Sequence, residues 1–153
     1  MENIKKMNNV VFTNGVFDGG LNIGHVNLLL LCRKLVGVDG QVIVAIDSDA
    51  KVIRDKGPSR PIFSINERQQ ALLALKNGLD PIVDVVYGFD TNDQLYELIK
   101  QIKPDLLVKG NDWKGNVVGS DIVKKVIYHE YDSRFTTTNV VQRILDKNSN
   151  KVI

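Results

Sequence analysis

A lone cysteine in 153 residues, Cys32, excludes an intrachain disulfide, and its place in LLLLCRKLV reads as a buried helix position. A reducing interior fits. No run approaches the ~18 apolar residues that a membrane span requires, and the opening MENIKKMNN is polar, without the apolar stretch of a secretory leader. The expectation is a cytoplasmic protein with no membrane partner. Dense basic blocks are also missing: 20 Lys and Arg against 18 Asp and Glu leave a net charge of +2, too little to argue for a nucleic-acid partner. Any polyanion site must be local. Only two histidines occur, and His129, beside Glu130, has no second histidine at ligand spacing. His129 and Glu130 read as structural, and no protein-built metal site is expected.

What the chain does have is 43% hydrophobic and 25% charged residues, the balance of an ordinary globular protein with no long disordered tail. Its length suits one domain over residues 1–153. Short β-branched or apolar runs at 9–13, 41–46, 82–87, 105–108 and 126–131 read as five strands. Helical spacing occupies 24–36, about 66–76, 92–102, 119–125 and about 137–146. Strands apolar on both faces that alternate with helices imply an α/β, Rossmann-like domain with a parallel five-stranded sheet flanked by helices. Such sheets bind ligands at the carboxyl ends of their strands. Residues 54–64, RDKGPSRPIFS, are the least regular stretch and read as a loop able to move.

The segment TNGVFDGGLNIGH fills the first strand-to-helix turn. Helix starts offer unpaired N–H groups and the positive end of the dipole, while Gly15, Gly19, Gly20 and Gly24 allow backbone to approach an anion. His25 adds a possible imidazole donor. Tight turns also select glycines, but the dinucleotide fingerprint GxGxxG is absent. Lys109, Gly110, Asn111, Asp112 and Trp113 follow the fourth strand toward the same edge; Asp112 could accept from a hydroxyl and Trp113 could cover a base or sugar. Thr136, Thr137 and Thr138 precede the apolar face VVxxIL and make an N-cap.

TNGVFD followed by NIGHVNLL resembles the TxGxFDxxHxGH signature of the cytidylyltransferase-like nucleotidyltransferases. SDAKVIRDKGPSRPI is similar to the adenylyltransferase domain of the bacterial ADP-heptose synthase. KPDLLVKGNDW resembles the strand-four segment of that domain and of glycerol-3-phosphate cytidylyltransferase, and TTTNVVQRI the segment opening the last helix in both. The resemblance covers nearly the whole chain and departs from the pattern in places. Asn22 stands where the first histidine is expected, and three residues rather than two separate it from Asp18. Near the last helix, Arg134 and Phe135 replace residues that are often glycine and isoleucine, and Tyr131 stands where an arginine is common; Arg134 is the candidate substitute.

The resemblance implies a nucleotidyltransferase fold and transfer of a nucleoside monophosphate from ATP or CTP to a sugar- or polyol-phosphate, with release of pyrophosphate. It implies that Gly15, Val16, Phe17 and Gly24 line the nucleotide with Gly110 and Asn111, and that Asn22, His25 and Lys56 carry catalysis at the triphosphate. Thr136, Thr137 and Thr138 would hold the outer phosphates. Arg60, Arg68, Lys109, Asp112 and Trp113 would meet the substrate, and Mg²⁺ would arrive with the triphosphate. Asp18 is expected either to orient backbone amides or to help with a metal. A free-standing homodimeric enzyme is expected by analogy.

KGPSRP and VVGSDIV favour the heptose 1-phosphate adenylyltransferase type, and GNDWKG the glycerol-3-phosphate cytidylyltransferase type. Asn22 also leaves open a non-catalytic nucleotide-binding module. A relation to class I aminoacyl-tRNA synthetases, prompted by NIGH, lacks any KMSKS-like segment.

Overall fold

Residues 41–47, QVIVAID, show why this chain builds a two-sided sheet. Val42, Val44 and Ile46 join one core cluster with Leu29, Cys32 and Leu72, while Ile43 and Ala45 join a second with Leu95, Ile99 and Leu107. Alternate side chains of one strand thus need cover on both faces, which only helices above and below can supply. The computed structural model describes residues 9–130 and 132–149. In chain order the elements are β1 (Val10–Gly15), α1 (Ile23–Val36), β2 (Gln41–Asp47), α2 (Asp49–Lys56) and α3 (Ile65–Ala74). Then come β3 (Lys76–Asn77), β4 (Asp80–Pro81), β5 (Val85–Phe89), α4 (Asn92–Ile102), β6 (Leu106–Gly110), β7 (Lys125–His129) and α5 (Thr137–Ser149).

The main sheet has the order β5-β2-β1-β6-β7 with every neighbouring pair parallel. From β1 the chain steps outward through β2 to β5, then returns to the other side of β1 for β6 and β7. Strand order therefore reverses between β1 and β6, the position at which such sheets open a crevice beyond their carboxyl ends. Cys32 is fully buried, as its apolar setting implied, and burial pushes its thiol up to about 12.

The expected five strands and the parallel, helix-flanked sheet are present. Differences lie in the polar segments. No helix forms over 119–125: Gly119 takes a φ of +84, and the stretch is held by short-range turn bonds such as Ser120 N to Val117 O and Ile122 N to Gly119 O. A Cβ on Gly119 would lie 2.8 Å from Ile99, so packing against α4 and a left-handed backbone override the helical spacing. α2 was not expected, because DAKVIRDK buries only Val52; it starts at Ser48, whose hydroxyl accepts from Lys51 N, and stops at Gly57 with φ 92. The β3–β4 hairpin adds a separate two-stranded ribbon. The last strand ends at His129, and Tyr131 lies outside the described residues. Among the described residues no helix is long and apolar enough to cross a membrane.

Candidate active site

The chain between β1 and α1 makes an unusual sequence of left-handed residues: Phe17 (φ 50), Gly19 (φ 76), Gly20 (φ 77) and Leu21 (φ 51). The adjacent glycines take up the extra residue noted in the sequence. At Gly19 a Cβ would stand 2.8 Å from Thr137 Cγ2, so a side chain there would force a shift as well as a left-handed backbone. The turn delivers Asn22 to the N-cap of α1, where its Oδ1 accepts from His25 N at 3.2 Å. Among the described residues that leaves Asn22 Nδ2 buried with no partner, and His25 Nδ1 is in the same condition. Burial holds the His25 imidazole down to about 4, against a smaller opposing pull from Asp18. At neutral pH His25 is therefore uncharged. Its ring packs 5.2 Å from that of Phe17, which serves both core and cleft.

A cleft of about 1150 Å³ opens at this edge of the sheet. The first turn contributes Gly15, Val16, Phe17, Asn22, Gly24 and His25 to its wall; the start of α5 contributes Thr136, Thr137 and Thr138. Beyond β6, Lys109, Gly110, Asp112 and Trp113 line it, and Lys56 and Arg60 close another side. Residues scattered from 15 to 138 thus meet in one place. Thr136 is the cap of α5, its hydroxyl accepting from Asn139 N at 3.1 Å, while Thr137 Oγ1 donates to the carbonyl of Asp18 at 3.0 Å. Two helix starts consequently face one cavity.

Four expectations need correction. Arg68 is 2% exposed and outside the cleft wall: Nε donates to Phe63 O, and the two terminal nitrogens reach Val16 O and Asp49. It fastens α3 to the first turn rather than meeting substrate. The stretch after Gly57 is not a free loop, because the buried Asp18 carboxylate accepts from Ile62 N, Phe63 N and Arg60 Nε. Burial pushes that carboxyl up, but these donors outweigh it and leave it below its usual value. Finally, Arg134 points its charge at Asp132 in a two-pronged pair and lines no part of the cleft. Asn111 is likewise outside the wall, in a one-turn helix of 111–113.

Lys109 is buried, donates from Nζ to Asn14 O at 2.9 Å and sits 4.5 Å over the Trp113 ring. Burial lowers it to about 8, partly opposed by Asp47 and Asp112. The sequence reading missed Asp47, Lys51 and Asp55, which also line the cleft; Lys51 Nζ lies 3.3 Å from Asp47 and 2.5 Å from Asp55. Their spacing of four residues was the available signal. His129 and Glu130, read as structural, stand at the rim.

Residues 12–148 match the family model described as cytidylyltransferase-like. Curated relatives include the bifunctional protein HldE of Campylobacter concisus, 46% identical over 144 residues, covering 93% of this chain and 28% of that protein. HldE of a Nitratiruptor species is 44% identical over 92% of this chain and 28% of its own length, and that of Campylobacter jejuni serotype O:6 is 42% identical over 90% and 28%. The chain thus spans a little over a quarter of these relatives. Among solved structures, a universal stress protein in complex with cAMP gives a TM-score of 0.46 at 13% identity, over 83% of this chain and 100% of that chain.

Proposed function

This chain belongs to the cytidylyltransferase-like family of nucleotidyltransferases, and we propose that it moves a nucleoside monophosphate from an NTP to a sugar- or polyol-phosphate. The preferred pair is ATP with heptose 1-phosphate, supported by KGPSRP, VVGSDIV and the similarity to the HldE relatives. CTP with glycerol 3-phosphate is the second reading, favoured by GNDWKG. A homodimer in the cytoplasm completes the proposal by family analogy.

An oxygen of the acceptor phosphate attacks the α-phosphorus, the bond to the bridging oxygen of the β-phosphate breaks, and pyrophosphate leaves. The acceptor is already anionic near neutral pH, so no general base is needed, and catalysis reduces to alignment and charge neutralisation. Asn22 Nδ2 and His25 Nδ1, buried without partners among the described residues, are the observation that carries this reading: in the proposal His25 takes the tautomer protonated at Nδ1, and both groups donate to an incoming anion. In the proposal they meet the triphosphate, the start of α5 takes its outer phosphates, and Lys56 and Arg60 offset the charge that spreads during transfer. Lys109, Asp112 and Trp113 serve the acceptor and nucleoside side. Mg²⁺ would enter with the triphosphate and neutralise phosphate charge. Among the described residues no group of three His, Cys, Asp or Glu could hold a metal, and Asp18 has both oxygens engaged. Substrate oxygens and water would therefore hold the ion.

The test incubates the protein with Mg²⁺, each of the four ribonucleoside triphosphates and either acceptor, reading pyrophosphate release alongside calorimetric binding. Turnover with ATP and heptose 1-phosphate is expected. CTP-only turnover with glycerol 3-phosphate would replace the preferred pair, binding without turnover would mark a nucleotide-binding module, and no binding of any triphosphate would overturn the reading.

A further inference from the structure

We propose that Asp18 is a positioning residue for the triphosphate: it grips one edge of the Arg60 guanidinium so that the other edge stands as a preset fork for phosphate oxygens. This rests on the reading of the cleft as a triphosphate site. Asp18 is 1% exposed and is not part of the cleft wall, whereas Arg60 is. The Asp18 Oδ2 accepts from Arg60 Nε at 2.8 Å and from Ile62 N at 2.8 Å, and Oδ1 accepts from Phe63 N at 3.0 Å. Its own carbonyl receives Thr137 Oγ1. One residue of the first turn thereby fastens two segments that come 42 to 45 and 119 residues later.

The guanidinium is planar, so fixing Nε also fixes the direction of both terminal nitrogens. Neither terminal nitrogen of Arg60 has a hydrogen-bond partner among the described residues, and the side chain is only 13% exposed. An unheld arginine would surrender its rotamer freedom on meeting a phosphate; here Asp18 has removed that freedom beforehand. The carboxylate also remains compatible with a polyanion, since it lies behind the wall with its charge answered by one cation and two backbone N–H groups. Lysine could not do the same work, having a single nitrogen to share between Asp18 and phosphate.

The test is a double-mutant cycle on ATP, using KM from pyrophosphate release and affinity from calorimetry, for the wild type, Asp18→Asn, Arg60→Ala and the double variant. Asp18→Asn is expected to weaken ATP by about tenfold, the scale of one charge-assisted hydrogen bond. The double variant should be no worse than Arg60→Ala. Fully additive losses would overturn the proposal, because Asp18 would then act on the fold alone. Arg60→Lys keeps the charge and leaves Asp18 unsubstituted: a loss close to that of Arg60→Ala is expected, and wild-type affinity would overturn the idea. Absence of binding of all four ribonucleoside triphosphates by the wild type would sink the cleft reading and this proposal together, whereas wild-type binding with an additive cycle sinks only the role of Asp18.

Discussion

Asn22 accepts a hydrogen bond from His25 N through Oδ1 while its Nδ2 stays buried with no partner among the described residues, so one amide side chain splits into a structural half and a free half. At this position the chain has a neutral donor that is also a helix cap. Asn22→Asp separates the two halves, since it keeps the accepting oxygen and deletes the donor. Thermal unfolding should stay close to wild type, while calorimetric affinity for ATP falls at least about tenfold through the lost donor and added repulsion. Asn22→His should raise turnover, charge-assisted bonds being roughly twice as strong as neutral ones.

His25 makes stability depend on acid. Its folded value of about 4 lies below the ordinary 6.5, so between those values the unfolded chain binds a proton that the folded chain refuses. Stability is expected to fall as pH drops through that window, by something on the order of 1–3 kcal/mol. Urea unfolding at pH 7 and pH 4.5 would show it, and His25→Gln should shrink the difference. The same variant should lower turnover by well over tenfold with the fold intact.

Lys109 sets an upper limit. With its folded value near 8, it is a cation at neutral pH and loses its charge as pH rises past that point. The profile of kcat/KM, which reports the free enzyme, should decline above about pH 8. Lys109→Arg should abolish that decline whatever its absolute rate, because arginine does not titrate there. Stability moves the opposite way: from about 8 to 10.5 the unfolded chain holds more protons, so the fold gains relative stability as pH rises.

Gly19→Ala tests the turn itself. The substitution would place a Cβ at 2.8 Å from Thr137 Cγ2 and force a left-handed φ of +76 on a residue that resists it. A loss of about 1–3 kcal/mol is expected in denaturant unfolding. Gly57→Ala, with φ +92 and nothing within 4 Å, isolates the backbone part and should be milder.

Much of this was readable in the chain. β1, β2 and β6 announced themselves through VVF, QVIVAI and DLLV because full burial demands unbroken apolar runs. α2 stayed hidden because a helix lying on the rim buries one residue, Val52, and shows no stripe. The false helix at 119–125 had the right spacing, but Gly119 belongs to a turn whose partner, Ile99, lies twenty residues away. Glycines, threonines and basic residues of the cleft were visible as a motif; who holds whom was not. Arg68 looked like a surface or substrate residue, yet its partners are Val16 and Asp49, and no local pattern encodes such distant bonds.

Thr137 meets Asp18 across 119 residues, which has a consequence for biosynthesis. A nascent polypeptide released as far as β7 already contains every strand of the main sheet, but its cradle is missing one side until α5 leaves the ribosome. Competence thus waits on α5, however early the sheet assembles.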